Sequence, residues 1–128
     1  MTATAESVTW ARAAAAAAAE KLAEDLIGFD VSDQLSIADI FLLCSAPNDR
    51  QVKAIVDAVE ERLRDFSAKP VHREGEREYR WVLLDYIDLV VHVQHTEERE
   101  YYALERLWRD CPTVDLALEQ DALTKVRS

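Results

Sequence analysis

Two apolar runs dominate what this chain can fold into. Arg80 to Tyr86 and Leu89 to His95 are joined only through Tyr86-Ile87-Asp88. So short a link leaves an antiparallel hairpin as the expected arrangement. Arg73-Glu74-Gly75 precedes the pair and Arg99 to Trp108 follows it. The first reads as the end of a strand, Val71 to Glu74, with Gly75 opening a turn. The second reads as a helix carrying Tyr101, Leu104, Leu107 and Trp108. Thr96 is placed to cap that helix, and Glu97 and Glu98 favour its positive end.

Upstream, residues 8–27 read as a first helix. Ala13 to Ala19 is unbroken alanine, the best helix former, whose small size admits close approach by a neighbour. Val8, Ala11, Ala15, Leu22 and Leu26 fall on one face at helical spacing, and Gly28 supplies the stop. A short strand is expected near Phe29 to Val31. Asp39 to Ser45 is a continuous apolar run, as in a strand buried on both faces. Asn48 is a good N-cap, with Gln51 at the position for a capping box. The helix it opens runs to about Phe66, with Val52, Ile55, Val56, Val59 and Leu63 as its apolar stripe.

The order is helix, strand, strand, helix, strand, strand, strand, helix. A crossover through the second helix calls for some parallel pairing, and the hairpin for antiparallel pairing. The expected fold is α/β, a mixed β-sheet flanked by α-helices. Its 128 residues suit one domain with a real core. The domain is expected over residues 1–110, with residues 111–128 as a C-terminal tail without assigned elements.

The net charge of −10 at pH 7 disfavours direct nucleic-acid binding, because a phosphate backbone repels such a chain and its 15 basic residues are scattered among 25 acids. A basic protein surface is a better partner; simple solubility is the other reading of the same charge. No apolar run is long enough for a membrane-spanning helix, and no membrane partner is expected. Without a secretory signal or a basic transit peptide, the cytoplasm is the default. The 2 cysteines, Cys44 and Cys111, make no disulfide framework.

Most chemistry fails on spacing. His92 and His95 are three apart on a strand, so they point to opposite faces, and His72 and the cysteines lack ligand spacing. No metal and no cofactor are expected. There is no Gly-x-Ser-x-Gly elbow. Nucleotidyl transfer is the serious enzyme alternative for this element order. It needs a glycine-bearing phosphate turn and two carboxylates at i and i+2 on a strand. Here the turn is Ser45-Ala46-Pro47, where proline removes a backbone N–H, and the hairpin acids Asp85 and Asp88 are three apart.

What remains is a binding surface. Alternation puts Trp81, Leu83 and Asp85 on one face of their strand and Val82, Leu84 and Tyr86 on the other. Both faces are largely apolar. Pattern alone places Trp81 in the core; its residue type alone suits an interface. Glu74, Glu76, Glu78 and Asp85 cluster around the hairpin, either as a solvated loop or as a surface for a basic, partly apolar partner.

Taken together, several segments resemble the ribosomal silencing factor family, the Iojap-related proteins. They are Ser32-Asp33 to Asp39-Ile40-Phe41, Asn48-Asp49-Arg50-Gln51-Val52, Glu74-Gly75, Trp81-Val82-Leu83-Leu84-Asp85-Tyr86 and Val90-Val91-His92-Val93. Arg99, Tyr102, Leu104-Glu105 and Leu107-Trp108 complete the likeness, which runs from about Ala18 to Trp108. Two departures stand out. Ser45-Ala46-Pro47 replaces a turn that often bears glycine in the family, and Ile87 stands where glycine is usual. The resemblance implies a homodimer with a nucleotidyltransferase-like fold that lacks the catalytic motif, and no enzymatic activity. It implies binding to the large ribosomal subunit through ribosomal protein L-fourteen, which blocks joining of the small subunit and represses translation when nutrients are scarce. On this reading Trp81 and Leu83 supply apolar contact and Glu74 and Asp85 pair with lysine or arginine of the partner. Tyr102 and His92 border the site. The dimer surface is expected on the alanine-rich helix or on the C-terminal helix. A nucleotidyltransferase and a general acidic interaction module are the alternatives.

Overall fold

The computed structural model describes residues 2–35 and 38–118. Helix α1 (Ala5–Glu20) leads into β1 (Glu24–Asp30) and β2 (Ile40–Ala46). Helix α2 (Asp49–Arg64) is followed by β3 (His72–Glu74), β4 (Trp81–Asp85) and β5 (Leu89–His95), then by the short α3 (Thr96–Tyr102) and a 3-10 turn at Leu104–Arg106. The five strands form one sheet in the order β1-β2-β5-β4-β3. Among the described residues only β2 and β5 run parallel, through the α2 crossover; the other pairs are antiparallel. The mixed α/β sheet expected from the sequence is therefore present.

The first helix is shorter than its pattern suggested, and the reason is a stop with no glycine. Leu22 adopts φ 63°. Around it the Leu22 N–H donates to the Ala19 carbonyl at 2.9 Å and the Ala23 N–H to the Ala18 carbonyl at 3.1 Å. This is a Schellman cap with leucine in the left-handed position. The same pair of bonds closes α2 around Ser67, φ 60°: Ser67 to Arg64 at 2.9 Å and Ala68 to Leu63 at 3.0 Å. Leu22 is consequently exposed and Leu26 lies in a strand, so neither extends the helix face. Gly28 is no helix stop either. It lies within β1, where a Cβ would come 3.3 Å from Leu116 Cδ2 and 3.4 Å from Val114 Cβ.

Asn48 caps α2 as expected, its Oδ1 accepting from the Gln51 N–H at 2.8 Å. The Gln51 amide, however, reaches away from the capping box and donates to the carbonyls of Lys21 and Leu22. The start of α2 is thereby tied to the end of α1. Ala11, Ala14, Ala15, Ala17 and Ala18 are buried in one cluster with Val52, Ile55, Val56 and Val59 of α2 and the inner face of the sheet. The small alanine side chains allow that close approach, and the protomer itself covers this face of α1.

Two sheet faces are thus distinguished. Ile40, Leu42, Cys44, Leu89, Val91, Val93, Val82 and Leu84 point toward α1 and α2 and form the main core. The opposite face carries Phe29, Phe41, Leu43 and Val90, covered at one end by Leu35, Leu104, Trp108 and Cys111. The sequence pattern assigns no element to the residues beyond Pro112. In the structure they run along β1: the Asp30 N–H donates to the Pro112 carbonyl and the Val114 N–H to the Gly28 carbonyl, both at 2.8 Å, and Leu116 is buried. The rest of the expected tail, residues 119–128, lies outside the described residues.

Candidate functional site

The cross-strand register assembles the face of the sheet away from α1 and α2. Leu83 of β4 stands opposite His92 of β5 and Glu74 of β3; Asp85 stands opposite Val90 and His72; Trp81 stands opposite Gln94. Residues directly opposite share a face. Glu74, Trp81, Leu83, Asp85 and His92 therefore lie on one surface, although 18 positions separate Glu74 from His92. Tyr102 joins them from α3, its ring 4.9 Å from that of Trp81.

The expectation from pattern alone that Trp81 is core does not hold. Val82, Leu84 and Tyr86 take the core side of β4, and Trp81 is only half-buried on the other. Its indole N–H donates to Nδ1 of His92 at 3.1 Å. His92 itself is buried, with Phe41 packed at 5.3 Å between ring centroids. It supports the site from below instead of bordering it at the surface. Burial in this apolar setting pushes its pKa down to about 4, so the ring is neutral near pH 7 and free to accept from the indole.

Around this centre the polar groups are partly engaged with one another. Glu74 lies 3.0 Å from His72 Nε2. On the other side of β3, Arg73 stands opposite Leu84 and pairs with Glu60 of α2 at 2.9 Å and with Glu76 at 3.4 Å. Arg80 pairs with Glu98 at 2.9 Å, and that carboxylate raises its pKa. Asp85 accepts the Ile87 N–H at 2.8 Å and has no ion-pair partner among the described residues. A shallow groove of about 360 Å³ beside Trp81 is lined by Gly75, Arg77, Glu78, Arg80 and Glu98.

The third helix ends sooner than its sequence suggested. Ala103, φ 46°, breaks it, and His95 instead of Thr96 caps it, Nδ1 accepting from the Glu97 N–H at 3.1 Å. The break leaves Leu107 exposed and turns Trp108 edge-on to Phe41, ring centroids 5.2 Å apart. Arg99, buried in α3, holds the break in place through Glu105 and the Asp25 carbonyl, each at 2.9 Å. No local pattern marks Arg99 for this role, and Phe41 and Val90 are further members of the face. Their alternation with Ile40, Leu42, Leu89 and Val91, which face the main core, was the available signal.

Neither cysteine offers a reactive thiol at this surface. Cys44 is fully buried, its thiol pushed up to about 12 by burial, and Cys111 is also shifted upward by burial and by neighbouring acids. Among the described residues no group of three histidine, cysteine or acidic side chains is arranged to hold a metal ion, and no helix is long and apolar enough to cross a membrane. The arrangement is one for contact: an aromatic and aliphatic centre beside carboxylates.

A family model described as ribosomal silencing factor during starvation matches residues 4–128. The chain belongs to the ribosomal silencing factor family. The match extends well past the segment from Ala18 to Trp108 that carried the resemblance, and takes in residues 111–118 packed on β1. The ribosomal silencing factor RsfS of Bacillus subtilis is 44% identical over 103 residues, 80% of this chain and 87% of that protein. Among solved structures, a Chromobacterium violaceum protein superposes with a TM-score of 0.76 at 32% identity, over 78% of this chain and 83% of that one. A Bacillus halodurans protein does so with a TM-score of 0.71 at 36% identity, over 81% and 94%. Membership in the silencing factor family makes the role one of translational regulation, associated with the ribosome.

Proposed function

We propose that this chain is a cytoplasmic, non-enzymatic silencing factor. It docks on the large ribosomal subunit through ribosomal protein L-fourteen, blocks joining of the small subunit by its bulk and lowers translation when nutrients are scarce. The observation that carries this reading is Trp81, held half-exposed on the sheet face away from α1 and α2 by His92 and Tyr102 beside Leu83, Glu74 and Asp85. An oriented indole in an acidic setting suits a basic, partly apolar protein surface. The charge of −10 favours a ribosomal protein over rRNA as the point of contact. Trp81 and Leu83 bury apolar area, Glu74 and Asp85 set the approach and register, and Tyr102 flanks the indole.

The factor acts as a homodimer in this reading. The alanine face of α1 is already used within the protomer, which favours the C-terminal region, with Leu107 exposed, as the second copy's contact. A clean monomer in sedimentation at micromolar concentration would remove that part.

The test of the main reading is co-sedimentation with separated ribosomal subunits, followed by a subunit-joining assay. Pelleting with the large subunit alone, with fewer joined ribosomes, is expected. Binding to neither subunit, or binding without an effect on joining, would overturn it.

A further inference from the structure

The β4–β5 turn holds a conformation that is unfavourable for its residue. Ile87 has φ 75°, and the Asp88 N–H donates to the Tyr86 carbonyl at 3.0 Å. Together these make a γ-turn of the rare, strained hand with Ile87 at its apex. A β-branched side chain is among the worst occupants of that region, and glycine the cheapest.

The neighbours force the conformation. Asp85 Oδ1 takes the Ile87 N–H, the Tyr86 N–H donates to the Leu89 carbonyl at 2.8 Å, and the Asp88 carbonyl accepts from both Asp39 and Ile40, at 2.8 and 3.0 Å. Burial does not offset the strain, because Ile87 is 57% exposed. An exposed apolar side chain in a strained turn contributes nothing evident to the protomer. Strain of this kind persists only where the surrounding structure over-determines it, and it clusters at binding and switch sites. Ile87 is anchored through its own N–H to Asp85, at the end of the face that carries Leu83 and Val90.

We propose that Ile87 is a specificity contact of the docking face. It is an apolar knob that enters a recess beside the basic side chain paired with Asp85, on a basic protein surface. The proposal rests on the docking reading above. It makes the turn a recognition element, where a glycine turn would only reverse the chain.

The experiment compares Ile87→Gly and Trp81→Ala with the parent, reading thermal midpoint and affinity for purified large ribosomal subunits. Ile87→Gly is expected to raise the midpoint by about 4 °C, through relief of strain, and to weaken binding about tenfold. If it binds within twofold of the parent while Trp81→Ala loses binding, docking stands and the role of Ile87 is overturned. If both variants bind like the parent, the docking reading fails and takes this proposal with it. A lowered midpoint for Ile87→Gly would overturn the strain argument itself.

Discussion

Across the β4–β5 pair, the indole N–H of Trp81 donates diagonally to Nδ1 of buried His92, at 3.1 Å. The bond requires a neutral imidazole with its proton on Nε2. It couples a half-exposed aromatic to the protonation state of a group beneath the surface.

That coupling has a pH signature. His92 has a folded pKa near 4 against an ordinary value of 6.5. Between these values the unfolded chain binds more protons than the folded one, so stability rises with pH through the window. The contribution, roughly 3 kcal/mol from the size of the shift, is complete above about pH 6.5 and lost as pH falls toward 4. Denaturant midpoints measured from pH 7 to pH 4.5 should fall for the parent and fall less steeply for His92→Gln. Equal slopes would exclude His92 as the source.

Trp81→Ala should cost docking more than folding. The ring is half-buried and its partners are already ordered, so truncation removes contact area from an interface centre. Hot-spot truncation costs about 2 kcal/mol or more, about thirtyfold in affinity. Equilibrium binding to large subunits, with the thermal midpoint as a companion, checks this; a loss of stability that matched the loss of binding would point to a structural role alone.

Charge and turn geometry are separable at Asp85. Asp85→Asn keeps an oxygen for the Ile87 N–H but removes the charge, whereas Asp85→Lys reverses it. An exposed pair is worth less than about 1 kcal/mol, so Asn should slow association modestly with the thermal midpoint unchanged. Lys should weaken the complex further and make residual binding less sensitive to salt. Normal binding of Asp85→Lys in both low and high salt would show that no basic partner group faces it.

Gly75 sets the position of Trp81 through the backbone. At φ +86° a Cβ would lie 1.9 Å from the Trp81 carbonyl oxygen, a clash that only backbone movement can relieve. Gly75→Ala should destabilise on the order of 3 kcal/mol and reduce docking as well. A circular-dichroism melt superimposable on the parent's would contradict this.

Much of the fold is legible because hydrophobic period reports burial directly. The apolar runs became β2 and β5, the stripe from Val52 to Leu63 became the buried side of α2, and alternation on β4 sorted its two faces. The errors cluster where left-handed caps use Leu22 and Ala103 in place of glycine. Those residues carry no local signal, since only the surrounding hydrogen bonds hold them at positive φ. Alternation and the acid cluster singled out Trp81, Leu83, Glu74 and Asp85, and the family resemblance implied their roles beside His92 and Tyr102. Register, which local pattern does not encode, brought Glu74 and His92 onto the face that alternation had given Trp81, Leu83 and Asp85.

The amino-acid sequence by itself determined the element order, the charge that disfavours nucleic acid, and which residues of each strand share a side. It could not say which side would remain uncovered, because each β4 face is apolar enough to be core. That was decided when the alanines of α1 admitted α2 closely and both helices settled on the face of Val82 and Leu84. The opposite face then kept Trp81 half-exposed above His92. Burial is a property of the packed whole, and where both faces are apolar only packing chooses between core and contact surface.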